Sequence, residues 1–476
     1  MSVISRIIGG VRSMLERLNY SRPTVEKTFG TSVAIDDDAE QAIARWYREY
    51  IGRPDWATAD VRPIGLPRAI CRELRNVSAT ELEINITGDG DRAEYVNDCV
   101  RRNLPAIFDG VQSGLAVGGL AIKPYVSGER GSEYVGLDIV SAVGFLPVAY
   151  DDAGVCVAGI FKTAAVIVDK KRYVKLEYHK FAGGGYAISN RAFEVGNDGS
   201  LVKLVPLETV PAWAGIEADT ELEGVEQPLF AYMAVSETSS HVGKSVYSGE
   251  TEDLIRQADE MWELFRYELS SGERKIIGTA EAILRDRPEY LGGGHNPLAT
   301  DRLYVAMDYD SEEFFREFSP ELRQAGYYDG LQAILRRIEF NVGLAYGDIS
   351  DPNTVEKTAS EIRASKQRKY ATVSVLEEKL ERCLRTAIYG INAYCDLYDI
   401  APGGDYNVSI KWGDSVLTDS DTDRVRDMQE VQAGLMSKKE YRMKWYGEDE
   451  ETATATLQEI STEASGSGSL ELLFNS

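Results

Sequence analysis

Histidine is almost missing from this sequence: His179, His241 and His295 are the three among 476 residues. They sit in separate segments. None stands beside a serine or cysteine that the sequence marks as an activated nucleophile, so only proximity in the fold could build a Ser–His or Cys–His site. Cysteine is scarce too. Cys71, Cys99, Cys156, Cys383 and Cys395 are an odd number, widely spread, with no metal-finger spacing. That argues against a disulfide framework and fits reduced thiols in a cytoplasmic protein. No uninterrupted run of about 18 apolar residues exists, so no transmembrane helix is expected. Cations are the minority charge: 52 Lys and Arg face 77 Asp and Glu, a formal net charge of −25. This balance disfavours a freely diffusing DNA or RNA binder but leaves room for contact through local basic spots.

The chain is too long for one ordinary core, and 43% hydrophobic residues suffice to build more than one, so two or more domains are expected. Residues 2–20, SVISRIIGGVRSMLERLNY, put Ile4, Ile7, Ile8, Val11, Met14, Leu15 and Leu18 at helical spacing. Arg6, Arg12 and Arg17 interrupt them, so this is no signal peptide. Such a helix is expected to dock on a partner subunit in preference to a membrane surface. Residues 36–120 read mostly as helices, and about 120–235 as short antiparallel β-runs with hairpin turns. Helix returns over 248–270, where Leu254, Ala258, Met261, Phe265 and Leu269 recur every three or four positions. An irregular stretch follows, with LGGGHNP (291–297) and a strand over 302–307. The next helix, 320–342, has a stripe of Tyr327, Leu331, Ile334, Ile338 and Val342. A polar loop over 343–358 then runs into the strongest local signal in the chain. There Val373, Leu376, Leu380, Cys383, Ala387, Ile391, Tyr394 and Tyr398 form one apolar stripe. Thr358 or Ser360 can cap the start of that helix. A helix over 359–398 would be roughly 60 Å long. A short strand (406–412), a helical pair and a tail of small residues close the sequence.

Several motifs resemble known chemistry and fall short of it. TSSHVGKS (238–245) ends like a phosphate loop, but Thr238 replaces the glycine that lets amides curl around phosphate, and Glu237 adds a like charge. Gly249 also comes too soon for the usual helix. A nucleotide-hydrolysing enzyme built on 238–245 is the alternative reading, which an ATPase assay of Lys244→Ala addresses. Gly88, Gly90 and Ala93 have a dinucleotide-like spacing, but Asp89 and Asp91 would face the pyrophosphate, so a turn and helix cap are expected. Asp419, Asp421, Asp423 and Glu430 fall at calcium-loop positions, yet Arg424 stands where the loop needs glycine. An acidic helix N-terminus explains them more simply. KQRK (366–369) is a basic cluster open to two readings, phosphate contact or a solvated helix face. No cofactor, metal set or catalytic residue is expected, and the protein is not expected to be an enzyme.

The order of elements and several segments resemble the portal proteins of tailed bacteriophages, particularly those of long-tailed phages and prophages of Gram-positive bacteria. The segments are GGLAIKPYV (118–126), RYVKLEYH (172–179), FREFSPELRQ (315–324), AGLMSKKEYRMKWYGEDEE (433–451) and above all LRRIEFNVGLAYGDISDPNTVEKTASEIRASKQRKY (335–370). The resemblance implies an α+β portal fold. Residues 1–247 would form a mixed α/β wing, 248–270 and 320–342 the two stem helices, and 271–319 a small α/β clip. A tunnel loop would cover 343–358 and the long wing helix and strand 359–412, followed by a helical crown over 413–460 and a flexible tail over 461–476. It implies a non-enzymatic ring, usually of twelve subunits and thirteen in isolation, at one vertex of a virion capsid and assembled in the bacterial cytoplasm. Double-stranded DNA would pass through the channel. The terminase large subunit, the major capsid and scaffolding proteins and a head–tail adaptor would be partners, with no membrane involved. The channel residues would be Gly343, Tyr346, Gly347, Asp348, Ser350, Asp351, Asn353, Thr354 and Lys357. Lys366, Arg368 and Lys369 would touch DNA phosphate. Arg285, Arg287, Tyr290, His295 and Asn296 of the clip would meet the motor and the adaptor. The loop, rich in Gly, Asp and Asn, is expected to change shape as DNA moves, and added lysines there to slow or block packaging.

Overall fold

The computed structural model describes residues 22–80, 82–88, 90–128, 132–197, 199–237, 242–279, 304–307, 315–352, 359–413 and 420–460. The amphipathic stretch 2–20, the tail 461–476, and His241 and His295 lie outside them. Two units are present, residues 1–412 and 413–476, and the fold is of mixed α+β class. No helix among the described residues is long and apolar enough to cross a membrane.

The first unit opens with α1 (Arg22–Phe29), α2 (Asp37–Tyr50) and α3 (Leu66–Thr80). The Asp36 carboxylate caps α2 by accepting from the Ala39 amide, and Asp37, Asp38 and Glu40 fill its first turn, where the helix dipole favours negative charge. Strand β1 (Glu83–Thr87) leads into α4 (Asp91–Val117). The β-region that follows holds β2 (Gly119–Ser127), β3 (Tyr134–Ser141), β4 (Phe145–Tyr150), β5 (Cys156–Lys162), β6 (Val166–Val168), β7 (Lys171–Ala182), β8 (Gly185–Val195), β9 (Leu201–Val205), β10 (Asp219–Glu223) and β11 (Ala231–Ala234). These make a seven-stranded sheet along β10-β8-β7-β5-β4, with β6 on β7 and β9 on β8, and a smaller sheet β11-β2-β3. The pairing is antiparallel, as the hairpin pattern predicts. The β7–β8 hairpin turns on Gly183 and Gly184, both at positive φ, the conformation that a tight two-residue turn requires.

Two short strands, β12 (Ser236–Glu237) and β13 (Gly243–Lys244), precede α5 (Glu250–Ser271). The small sheet β15-β14-β16 is formed by β14 (Lys275–Thr279), β15 (Tyr304–Met307) and β16 (Phe315–Phe318), with β14 parallel to β15 and antiparallel to β16. Next, α6 (Gln324–Val342) packs back on α5. Arg323 closes that helical hairpin, its backbone amide and its guanidinium both donating to Glu268 at 2.9 Å. The 39-residue α7 (Ala359–Leu397) follows, and β17 (Asn407–Lys411) pairs antiparallel with β1.

The principal core lies where α7 crosses α4, β2 and β11. The predicted stripe from Val373 to Tyr394 is buried, and Leu384, Ile388 and Cys395 widen it. Tyr398 departs from that expectation: it lies beyond the end of α7 and is half exposed. A second cluster seats Val25 of α1 and Ile35 against Leu146, Ile160, Val174, Leu176 and Phe193 of the large sheet. All five cysteines are buried and free, and burial pushes the Cys99 and Cys395 thiols up to about 11, which makes them poor nucleophiles. His179 belongs to a buried polar group on the sheet. Its Nδ1 lies 2.8 Å from the Tyr186 hydroxyl, and burial brings its pKa down to about 4. Burial also works against the charge of neighbouring Glu177, but Lys123, His179 and Lys175 overcome it and hold that carboxyl well below the usual range.

Glu49, on α2, is a buried carboxyl. Its oxygens meet no N–H or O–H donor among the described residues. Burial first, and the nearby Glu252 carboxylate second, push its carboxyl up to about 9. The folded chain therefore keeps a proton that the unfolded chain releases. Stability should fall as pH rises from the ordinary glutamate range to about 9 and then level off. Glu49→Gln should remove that slope and be more stable than the parent by roughly 3 kcal/mol at pH 8, and equal to it at pH 4, in urea denaturation.

The second unit comprises α8 (Ser420–Gln432), α9 (Lys438–Tyr446) and a helix over residues 450–460. A reciprocal capping box between Ser437 and Glu440 starts α9. The buried Asp427 of α8 accepts from the Trp445 indole at 2.9 Å and pairs with Lys444 at 2.6 Å. Asp421 and Asp423, two of the calcium-loop positions, are helical here, and Asp419 lies outside the described residues.

Candidate functional site

The C-terminal end of α6 is where the quoted resemblance is densest, and it holds a dense polar network. Gly343 ends the helix at φ 79°, and the Leu344 amide donates back to the Glu339 carbonyl at 2.9 Å. A Cβ at 343 would lie 2.0 Å from Thr372 Oγ1 on α7, so glycine is needed both for the backbone and for the close approach of the two helices.

Residues 344–352 then wrap around a single carboxylate. Glu339 is completely buried. Its Oε1 accepts from the amides of Gly347 (3.0 Å), Ile349 (2.7 Å) and Ser350 (2.7 Å), and its Oε2 from the Ser350 hydroxyl (2.9 Å). Gln332, two helical turns earlier, accepts from the Asp351 amide at 2.8 Å, and the Tyr328 hydroxyl donates to the Asp351 carboxylate at 2.9 Å. Asp348 accepts from the Ala345 amide at 2.8 Å and pairs with Lys369 of α7 at 3.0 Å. Lys369 reaches Glu73 of α3 at the same distance. Burial works against this ammonium, but hydrogen bonds and charge from Asp348 and Glu73 outweigh it and raise its pKa. Arg368 lies between the rings of Phe340 (4.7 Å) and Tyr346 (5.0 Å) and donates to the Leu344 carbonyl at 3.2 Å.

Within the chain, these loop and helix residues already have partners. The described half of the loop, through Pro352, is a folded turn and not a free polar segment, because the Glu339 carboxylate collects amides that a mobile loop would leave to water. Asp348, Ser350 and Asp351 spend their side chains inside the fold. Arg368 is stacked and donates one hydrogen bond, while its Nε meets no acceptor among the described residues, and Lys369 is buried between two carboxylates. Lys366 is half-buried on the same helix. Asn353, Thr354 and Lys357 lie outside the described residues, as do Arg285, Arg287, Tyr290, His295 and Asn296.

The other motifs fall elsewhere. Val242 is buried, and Gly243 and Lys244 pair with Ser236 and Glu237 in β13–β12. Gly243 is pressed on the Gly118 carbonyl in a strand contact, and the next helix begins at Glu250; residues 238–241 of the motif lie outside the described residues. Among the described residues, no group of His, Cys, Asp and Glu is placed to hold a metal ion.

No family model matches this chain, and no curated protein matches it either. The anchoring residues themselves escaped the sequence reading, although a signal existed. Tyr328, Gln332, Leu335, Glu339 and Val342 follow helical spacing, so Gln332 and Glu339 are polar residues on an otherwise apolar face, just ahead of a glycine cap. Polar groups placed there must find buried partners.

The Lys369 bridge can be tested directly. Lys369→Met should leave Asp348 and Glu73 facing each other uncompensated and cost about 3 kcal/mol in urea denaturation. Glu73→Ala should cost under about 1 kcal/mol, since Asp348 still neutralises the ammonium and Glu73 is a third exposed.

Proposed function

We propose that this chain is a subunit of a ring-shaped DNA channel, a portal protein of a tailed phage or prophage of Gram-positive bacteria. Twelve copies would surround double-stranded DNA at one capsid vertex of the virion and dock the terminase motor and then the head–tail adaptor. The carrying observation is the connection α5, small sheet, α6, anchored turn, α7. A closed helical hairpin with a three-stranded sheet between its helices delivers a glycine-capped turn, and a helix of roughly 58 Å sets out from it across the core. Such a rod is longer than a compact domain needs. It suits a spoke that holds one segment per subunit at the axis of a ring. The acidic balance of the chain suits a channel wall that repels DNA phosphate and lets it slide.

Negative-stain electron microscopy of the purified protein should give closed rings, with an axial hole wide enough for B-form DNA in end views. A monomer or dimer persisting at high protein concentration, with no rings when capsid and scaffolding proteins are supplied, would overturn the reading.

A further inference from the structure

We propose that a strip of cations crossing α3, the start of α7 and the end of α6 binds the phosphate backbone of duplex DNA. In a chain of net charge −25 the cations are not spread evenly. Arg68 and Arg72 stand exposed and one turn apart on α3, Arg336 and Arg337 lie near the end of α6, and Lys366 lies near the start of α7. Contacts join the three helices here. Lys369 of α7 reaches Glu73 of α3 at 3.0 Å, and Arg368 of α7 and Arg337 of α6 stack on the same ring, Phe340, at 4.7 and 5.3 Å. Two steps between neighbouring helices, roughly 9 Å each, make the strip about 18 Å across.

The carboxylates nearby are already occupied. Lys369 takes Glu73 and Asp348, the Tyr328 hydroxyl takes Asp351, and the amides of the turn take Glu339. Arg72, Arg336, Arg337 and Lys366 therefore have no carboxylate partner among the described residues. Like charges left unpaired this close together repel one another, and an anion brought to them relieves the repulsion. Phosphate fits better than an acidic protein for two reasons. Three of the four unpaired cations are arginines, whose planar forks match phosphate oxygens, and the Phe340 ring holds one of them, Arg337, in place beforehand. Phe340 itself, 45% exposed, is flanked by the Arg337 and Arg368 guanidinium groups, so the strip presents cations where a protein interface would present an apolar centre. A duplex carries one charge per about 1.7 Å of its axis, and the strip meets several phosphates at once. The choice of duplex DNA rests on the channel reading, whereas the charge pattern is independent of it.

The test uses the full chain and a fluorescent duplex of about 30 base pairs, read by anisotropy between about 50 and 200 mM salt. Wild type should bind two unrelated sequences alike, with an affinity that falls steeply with salt. Arg72→Gln, Arg337→Gln and Lys366→Gln should each lower the slope of log K against log salt by about 1, and the triple variant should bind at least about tenfold more weakly at about 100 mM salt. Arg337→Lys keeps the charge and should keep the slope. Lys203→Gln, at an exposed cation on β9, should change neither value. A wild-type chain that does not bind, or a triple variant that folds by its urea midpoint and binds as wild type does, would overturn the inference. So would polyglutamate that displaces the duplex at a lower charge concentration than unlabelled DNA, which would assign the strip to an acidic protein. Rings without DNA binding would count against the strip alone, and strip-dependent binding by a chain that never forms rings would count against the ring alone.

Discussion

Glu339→Ala should destabilise the first unit by about 4 kcal/mol, among the larger effects for a single side chain. The reasoning is a count of donors. Removing the carboxylate orphans the amides of Gly347, Ile349 and Ser350 and the Ser350 hydroxyl in a site closed to solvent. Each buried unsatisfied donor costs about 1–3 kcal/mol, and relaxation of the turn toward water recovers part of the sum. Glu339→Gln should cost less, about 1–2 kcal/mol. It keeps one oxygen for the three amides, and its new N–H₂ can donate to the Ser350 hydroxyl, so what is lost is mainly the charge assistance. Urea denaturation should rank the variants wild type, Gln, Ala, and limited proteolysis should nick the alanine variant between 343 and 352. Equal midpoints for all three would mean that the amides have other partners and that the turn does not hang on Glu339. In the channel reading, Glu339 also holds the turn at 344–352 in shape. The alanine variant should then still form rings while passing DNA less well.

The long helix was legible because its signal is local and repeated. Seven positions from Val373 to Tyr394 recur at helical spacing over many turns, and nothing but burial of one face explains them. The hairpins of the β-region were legible for the same reason, since alternation and Gly-rich turns are written within a few residues. What escaped was long-range. Strand β1 pairs with β17 across more than 300 residues, and no local pattern encodes that register. The intrachain partners of the KQRK cluster were not legible, because charge along a helix looks solvent-facing until something packs on it. Lys369 finds Asp348 from the adjoining turn and Glu73 from α3 only once the chain has folded. The turn itself looked loose because Gly, Asp, Ser and Asn favour both mobile loops and tightly bonded ones. Which of the two arises was decided by Glu339, outside the loop.

Arg92→Ala should cost about 3–4 kcal/mol, and it acts at the opposite end of α7. Arg92 stands in the first turn of α4 and is almost fully buried. Its guanidinium donates to the carbonyls of Pro402 (2.9 Å), Ala401 (2.7 Å) and Asn392 (3.2 Å) and to the Asn392 side chain (2.7 Å), and it pairs with Asp396 at 2.8 Å. Two of these carbonyls lie in the segment after α7 and one lies within its last turns, and one planar fork satisfies all three at once. Lysine, a point charge, cannot span that set, so Arg92→Lys should still lose about 2 kcal/mol. Asp396→Ala should cost under about 1 kcal/mol, because that carboxylate is more than half exposed. Guanidinium denaturation should return the order Arg92→Ala, Arg92→Lys, Asp396→Ala from most to least damaging. If Arg92→Lys matches wild type, charge alone holds the end of α7 and the fork geometry is irrelevant. The comparison bears on the turn because both ends of α7 are tied by buried cations. The helix is tied by Arg92 near its C-terminus and by Lys369 near the turn. Over roughly 58 Å of helix, a tilt of about 2° at one end moves the other by about 2 Å. A change at the Arg92 cluster would therefore reach the turn at 343–352 as a displacement as large as the difference between a hydrogen bond made and one broken, so Arg92→Lys should raise proteolytic cleavage in that turn although it touches none of its residues.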